Sequence, residues 1–138
     1  MAKNTKDMQF MAFPGLPTCT SGSVQNGDPS KEASIILVKA KSGCVIPWHW
    51  HTPSEHLMIV SGTARAEMKD GETVTLQSGG FTSMPAKHVH QFTCLKACTF
   101  YVASDGVFDL HYVDPAGQEL APADALKAVK ETAASAPK

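Results

Sequence analysis

Residues 43–62 read GCVIPWHWHTPSEHLMIVSG, and this stretch decides the fold. It opens and closes on glycine, and between the glycines two β-branched or aromatic runs flank the tight turn Thr52-Pro53-Ser54. The pattern predicts strand, turn, strand. His49 and His51 stand at i and i+2, so on a strand both imidazoles leave one face, with Cα atoms roughly 6.6 Å apart. Glu55 opens the next strand, where hairpin pairing can bring its carboxylate to that face.

Working outward, the same texture runs from Ile35 to Val113. IILVKA, CVIPWHWH, EHLMIV, ARAEM, TVTLQ, FTSMP, HVHQFTC, CTFYVA and FDLHYV follow one another as short runs separated by turn residues. That spacing predicts an all-β sandwich or barrel. Asp70-Gly71 suits a two-residue primed hairpin, Ser78-Gly79-Gly80 supplies positive φ, and Ser42-Gly43 and Ser61-Gly62 close other loops. Residues 1–34, rich in Pro, Gly, Ser, Asn and Thr, are predicted to form an extended arm with at most one edge strand. Residues 35–113 form the barrel and 114–138 a tail. Within the tail, PADALKAVKETA predicts one short helix from Pro122 that packs on the barrel exterior, with Asp124 in its first turn and Leu126 and Val129 on one face.

The chain has 138 residues, enough for one domain, and its 43% hydrophobic content suffices for a core without help from disulfides. Twelve Lys and Arg against thirteen Asp and Glu leave a formal charge of −1 with no block of either sign. This speaks against nucleic-acid or membrane-surface partners. No apolar run approaches the ~18 residues of a membrane span, and residues 1–10 lack the apolar stretch of a secretory signal.

The cysteines, Cys19, Cys44, Cys94 and Cys98, include no CxxC. If Cys94 and Cys98 lie on facing strands of a tight hairpin they can form a disulfide, leaving Cys19 and Cys44 to tie the arm down. Two disulfides imply a periplasmic or secreted protein shown without its leader. Four buried thiols fit a cytoplasmic one.

Five of the six histidines fall between residues 49 and 90. His49, His51 and Glu55, joined by His90 from a later strand, can make a shell of three imidazoles and one carboxylate for one transition-metal ion per chain. Such a shell suits Fe, Cu, Mn, Ni or Zn. His88 lies at i−2 from His90 and is a candidate for the same cavity as a substrate contact or catalytic group. His56 should point away in a structural role. His111 either lines the cavity, supports a ligand from behind or simply packs. Trp48 and Trp50 should face away from the metal, and Phe81, Met84, Phe92, Phe100 and Tyr101 read mostly as core. GxSxG, Walker, GxGxxG and HExxH patterns are absent, which argues against hydrolase, nucleotide-binding and helix-borne zinc-protease readings.

Two motifs resemble the cupin superfamily. Gly43, His49, His51, Glu55 and Gly62 stand at the spacing of the first cupin motif throughout. Gly79, Pro85 and His90 match the second, with Lys87 where glycine is usual and Cys94 where Asn closes the motif. The resemblance implies a double-stranded β-helix, or jelly-roll, barrel with one metal in its mouth, held by His49, His51, Glu55 and His90, and a homodimer. A lysine at position 87 predicts ordinary negative φ there. With Fe, Cu or Mn, the favoured ions, the expected chemistry is that of an oxygenase or oxidative-cleavage enzyme. Its substrate would be a small oxygen-rich or carbohydrate-like compound, and Glu55 and His88 would be the catalytic groups. Zn or Ni would favour an isomerase, lyase or hydrolase, and a non-catalytic small-ligand, sugar or metal binder is the third class.

Overall fold

A computed structural model describes residues 2–135. The chain is mostly β, with every strand pairing antiparallel in one continuous sheet that wraps around a single apolar core. The strands are β1 (Thr20–Asn26), β2 (Ser34–Ala40), β3 (Val45–Trp50), β4 (Glu55–Met68), β5 (Thr73–Leu76), β6 (Phe81–Met84), β7 (His90–Ser104), β8 (His111–Val113) and β9 (Glu119–Leu120). One helix, α1 (Pro122–Ser135), ends the described chain and rests against β3 and β8 with Ala125 buried. Residues 20–26 of the predicted arm form β1, paired along β2 as the edge of the sheet.

Two long strands hold the architecture together. EHLMIV and ARAEM are one strand, β4, and HVHQFTC and CTFYVA merge into β7, so there is no hairpin between Cys94 and Cys98. The turn signals between these runs bend the strands without reversing them, because each half keeps pairing with the other long strand. The register slips at Ile59, Ser61 and Thr63, which is where both strands turn a corner. At this corner the Cα atoms of Cys94 and Cys98 come within 5.9 Å, where four fully extended residues would span roughly 13 Å. Gly62 makes the corner possible: its φ is +89°, and a Cβ there would sit 2.1 Å from the Ala97 carbonyl oxygen.

Both cysteine pairs lie at disulfide distance. Cys19–Cys44 fastens the residue before β1 to the entrance of β3, and Cys94–Cys98 spans the β7 corner.

Two turns differ from the sequence reading. The β4–β5 connection hydrogen-bonds Gly71 N–H to Met68 O at 3.3 Å, so Lys69 and Asp70 are its central residues, and neither Asp70 nor Gly71 has positive φ. A primed two-residue hairpin is thereby excluded, since that turn requires positive φ. Lys87, expected at negative φ, has φ +63°. Its position explains why. His88 N–H donates to Pro85 O at 3.1 Å, placing Lys87 third in a turn of the kind that needs positive φ, while Lys87 N–H donates to His51 O at 2.7 Å. Turn closure and this tie to the His51 backbone outweigh the local cost of a left-handed lysine.

The core is built by the inward faces of β2, β4 and β7, with Phe92 and Phe100 in contact at 4.8 Å between ring centres. Met84 joins them, but Phe81 does not. It is 57% exposed beside His56, because it sits opposite Met58 on the outward register of β4 and β6.

Candidate metal centre

The histidines converge by register. His49, near the end of β3, pairs with His90 at the start of β7 and with Tyr112 on β8. His51 lies one residue beyond β3, where the strand ends before the Thr52-Pro53-Ser54 turn, and Glu55 is the first residue of β4. All four are buried, each 5% exposed or less. One nitrogen from each of His49, His51 and His90 lies within 4.8 Å of the others, so this group could hold a metal ion.

The second nitrogen of each ring fixes which face is presented. Each Nδ1 meets a backbone carbonyl: His49 that of Pro47 at 2.5 Å, His51 that of Asp109 at 2.6 Å and His90 that of His88 at 2.9 Å. A carbonyl only accepts, so Nδ1 must carry the proton and Nε2 keeps its lone pair. All three rings are therefore held in the tautomer that ligates through Nε2. Burial keeps them neutral as well. It pushes the His49 pKa well below the ordinary value, with His90 and His51 adding repulsion, lowers His51 to about 4 against the opposing pull of the Asp109 carbonyl, and lowers His90.

Glu55 completes the arrangement by being unsatisfied. Its Oε2 is buried without a hydrogen-bond partner. Although this oxygen lies 3.1 Å from His51 Nδ1, that nitrogen's only proton is committed to the Asp109 carbonyl. Burial, with the negative charge of Asp109, raises the Glu55 pKa to about 8. Three neutral imidazoles with free Nε2 lone pairs could hold a cation, and Glu55, outside that group and 3.1 Å from the Nδ1 side of His51, is a buried carboxyl beside it. The donor set fits a borderline first-row transition metal.

Asp109 supports this centre from behind, and the sequence reading missed it. Its carbonyl holds His51, while its carboxylate accepts from the Thr52 N–H at 2.7 Å, from the Thr52 hydroxyl, and from His111 Nε2 at 3.2 Å. Partial burial would raise the Asp109 pKa, but the Thr52 and His111 hydrogen bonds outweigh it and the net shift is downward. His111 lies between two acids, with Glu119 at 3.1 Å from Nδ1, and stacks on Trp50 at 4.0 Å. It touches neither the cavity nor the three clustered rings. No local pattern marks Asp109, because its contact to His51 uses a backbone oxygen that any residue possesses.

His88 is also placed behind the site. Its carbonyl orients His90, its side chain is not part of the cavity wall, and its own Nδ1 is buried without a partner. His56 points outward as expected, 3.3 Å from Asp105 and 3.1 Å from Ser83.

The cavity in front of the histidines encloses about 60 Å³. Its wall is predominantly apolar. Apart from the four site residues and Thr20 it is entirely aliphatic, aromatic or thioether, because these are the same inward positions that form the core. Phe13 and Leu16 from the N-terminal segment and Phe108 and Leu110 from the β7–β8 connection contribute to it. The Tyr112 hydroxyl pins the N-terminal segment by donating to Gly15 O at 2.6 Å. No periodic signal in that Pro- and Gly-rich text marks Phe13 or Leu16 as wall residues.

An antiparallel sheet around an apolar core, with a histidine cluster at one end, defines a β-fold domain with a metal-type centre. The chain belongs to the cupin family: the cupin domain model matches residues 36–104. Among solved structures it is similar to the polyketide cyclase RemF from Streptomyces resistomycificus, at 18% identity and TM-score 0.67, covering 83% of this chain and 87% of that one. An RmlC-like cupin protein from Ralstonia eutropha aligns at 20% identity and TM-score 0.66, covering 98% and 89%. Salicylate 1,2-dioxygenase from Pseudoaminobacter salicylatoxidans aligns at 15% identity and TM-score 0.57, covering 64% of this chain but only 25% of the dioxygenase. No curated protein sequence matches the chain. At these identities the similarity establishes the fold, which is shared by a cyclase and a dioxygenase and so allows a metal-dependent enzyme.

Proposed function

We propose that this protein is a mononuclear metal-dependent enzyme acting on a small molecule, with His49, His51 and His90 as ligands and Glu55 as the fourth ligand or proton carrier. The observation that carries the reading is the locking of all three Nδ1 protons onto backbone carbonyls beside an unpaired, buried carboxylate. A bound ion would supply Lewis-acid polarisation and, if it is Fe, Cu or Mn, one-electron chemistry as well, which makes an oxygenase the leading assignment. The imidazoles hold their lone pairs towards the ion without needing to shed protons. Glu55 lines the cavity, where its carboxyl can accept or return a substrate proton. The apolar wall excludes water from this exchange. His88 and Asp109 act as positioning residues through their carbonyls, the former in place of the direct catalytic role that its spacing suggested.

Glu55 also favours a second reading, a non-redox lyase, isomerase or cyclase in which proton transfer is the whole of the chemistry. Elemental analysis of protein expressed with several metals available separates the two. About one Fe, Cu or Mn per chain with substrate-dependent O₂ uptake supports the oxygenase. About one Zn or Ni without uptake supports the second reading, and no metal at any supply rejects both.

The two cysteine pairs at disulfide distance support an oxidising compartment, periplasmic or extracellular. Among the described residues no helix is long and apolar enough to cross a membrane. A homodimer is also part of the proposal. Met58 and Phe81, side by side on β4 and β6, leave an exposed apolar patch that such a contact could use, and sedimentation velocity tests it.

A further inference from the structure

We propose that the cavity takes a small, predominantly apolar molecule bearing one anionic oxygen head group, such as a short-chain carboxylate, and rejects polyols. The inference rests on the metal-centre reading and narrows it to a substrate class.

The first argument is the distribution of polar atoms. Among the described residues, His49, His51, Glu55 and His90 gather the polar groups of the cavity at one end. Elsewhere the wall offers only Thr20, whose hydroxyl proton is already donated to Pro17 O at 2.7 Å. A ligand hydroxyl beside Val38, Leu57, Phe100 or Val102 would lose water and gain no partner there. Each such group should weaken binding by roughly ten- to a hundredfold. A ligand with one polar end satisfies the site, whereas a ligand with polar groups along its length cannot.

The second argument is charge. Neither Lys nor Arg lines the cavity, so nothing in the wall could hold an anion except an ion at the histidines. Three neutral imidazoles and one carboxylate leave a divalent ion with one uncompensated positive charge. In an apolar enclosure that charge favours an anionic oxygen over a neutral one. The third argument is size. A cavity of about 60 Å³ has room for roughly four to six water-sized groups, which bounds the ligand to a short chain or one small ring.

The test uses the full-length protein stripped with a chelator and reloaded with Co(II), whose visible spectrum reports ligands entering its coordination sphere. Butyrate, the size-matched 3-hydroxypropionate, n-butanol and the size-matched 1,3-propanediol are titrated separately. Butyrate should perturb the spectrum with a Kd at least tenfold below that of 3-hydroxypropionate and of butanol, and propanediol should leave it unchanged. Val102→Thr, nearly isosteric, should narrow the gap between butyrate and 3-hydroxypropionate while keeping full cobalt loading, which also verifies its fold. 3-Hydroxypropionate or propanediol binding as tightly as butyrate overturns the apolar assignment. Butanol matching butyrate overturns the anionic one, and cobalt loading with no response to butyrate overturns both. Failure to load cobalt is a separate result, which removes the metal reading and this proposal with it.

Discussion

One end of the molecule carries two kinds of histidine, and their contrast shows how this fold makes a ligand. The inner three, His49, His51 and His90, are buried and give their Nδ1 protons to carbonyl oxygens. The outer His111 is partly exposed and has a carboxylate at each ring nitrogen. Partial burial pulls its pKa down, but Asp109 and Glu119 outweigh that and raise it. A carbonyl orients an imidazole without charging it, whereas two carboxylates favour the protonated form of the same ring. Inner rings are thus prepared for a metal and the outer one for an ion-pair network. Asp109 joins the two populations, with its backbone serving the inner set and its side chain the outer.

The strongest way to break this contrast is to remove inner rings. His49→Ala combined with His51→Ala should abolish stoichiometric metal binding while the far-ultraviolet circular dichroism keeps its β signature. Retention of one metal per chain would refute the site. The corresponding outer substitution, His111→Gln, should leave metal content unchanged.

A second, smaller effect lies in the pH dependence of the metal-free protein. The His51 pKa falls to about 4 on folding, so the unfolded chain binds more protons between that value and ~6.5, and this group makes stability rise with pH there. Glu55 has the opposite sign. With its folded pKa at about 8 against an ordinary 4.5, the native state binds more protons across that window and stability falls as pH rises. Above pH ~6.5 the Glu55 effect acts without opposition from the inner histidines, and urea titrations at pH 6.5 and 8 should differ by on the order of 2 kcal/mol. Glu55→Gln should flatten that slope, and metal should do the same in the wild type. A slope that survives the substitution would assign it to another group.

Asp109→Asn sharpens the link between the two sets. Weakened hydrogen bonds to Thr52 and His111 should loosen the loop that holds His51, with metal affinity dropping about tenfold and the fold intact by circular dichroism. The smallest effect concerns Lys87. Replacing a left-handed lysine by glycine relieves backbone strain, so Lys87→Gly should stabilise the protein by about 1 kcal/mol. A thermal melt that moves downward would show that the lysine side chain contributes more than its backbone costs.

Legibility in the sequence followed the range of the interaction concerned. The HxH spacing, the turn and Glu55 are close neighbours in the chain; the fold brings His49 and His51 together with His90, and Glu55 is buried beside His51. Of the apolar residues that read mostly as core, Met84, Phe92 and Phe100 are buried. Phe81 is exposed instead, because hydrophobicity alone does not tell which face of a short strand looks outward. Between Cys94 and Cys98 the chain turns a corner without reversing, and a bulged corner and a reversal share the same turn residues. Only pairing with β4 distinguishes them.

By itself, then, the sequence determined the β character and the cupin spacing, and placed His49, His51 and Glu55 within a few positions of one another, whereas His90 meets them only through the pairing of β3 with β7. Tertiary structure alone decided the tautomers, because Pro47, Asp109 and His88 act through carbonyl oxygens that carry no side-chain signature. It also decided the conformation at Lys87, where a hydrogen bond to the His51 carbonyl and turn closure prevail over local preference. The apolar lining was settled there too, since a cavity belongs to several strands at once and no single strand can specify it.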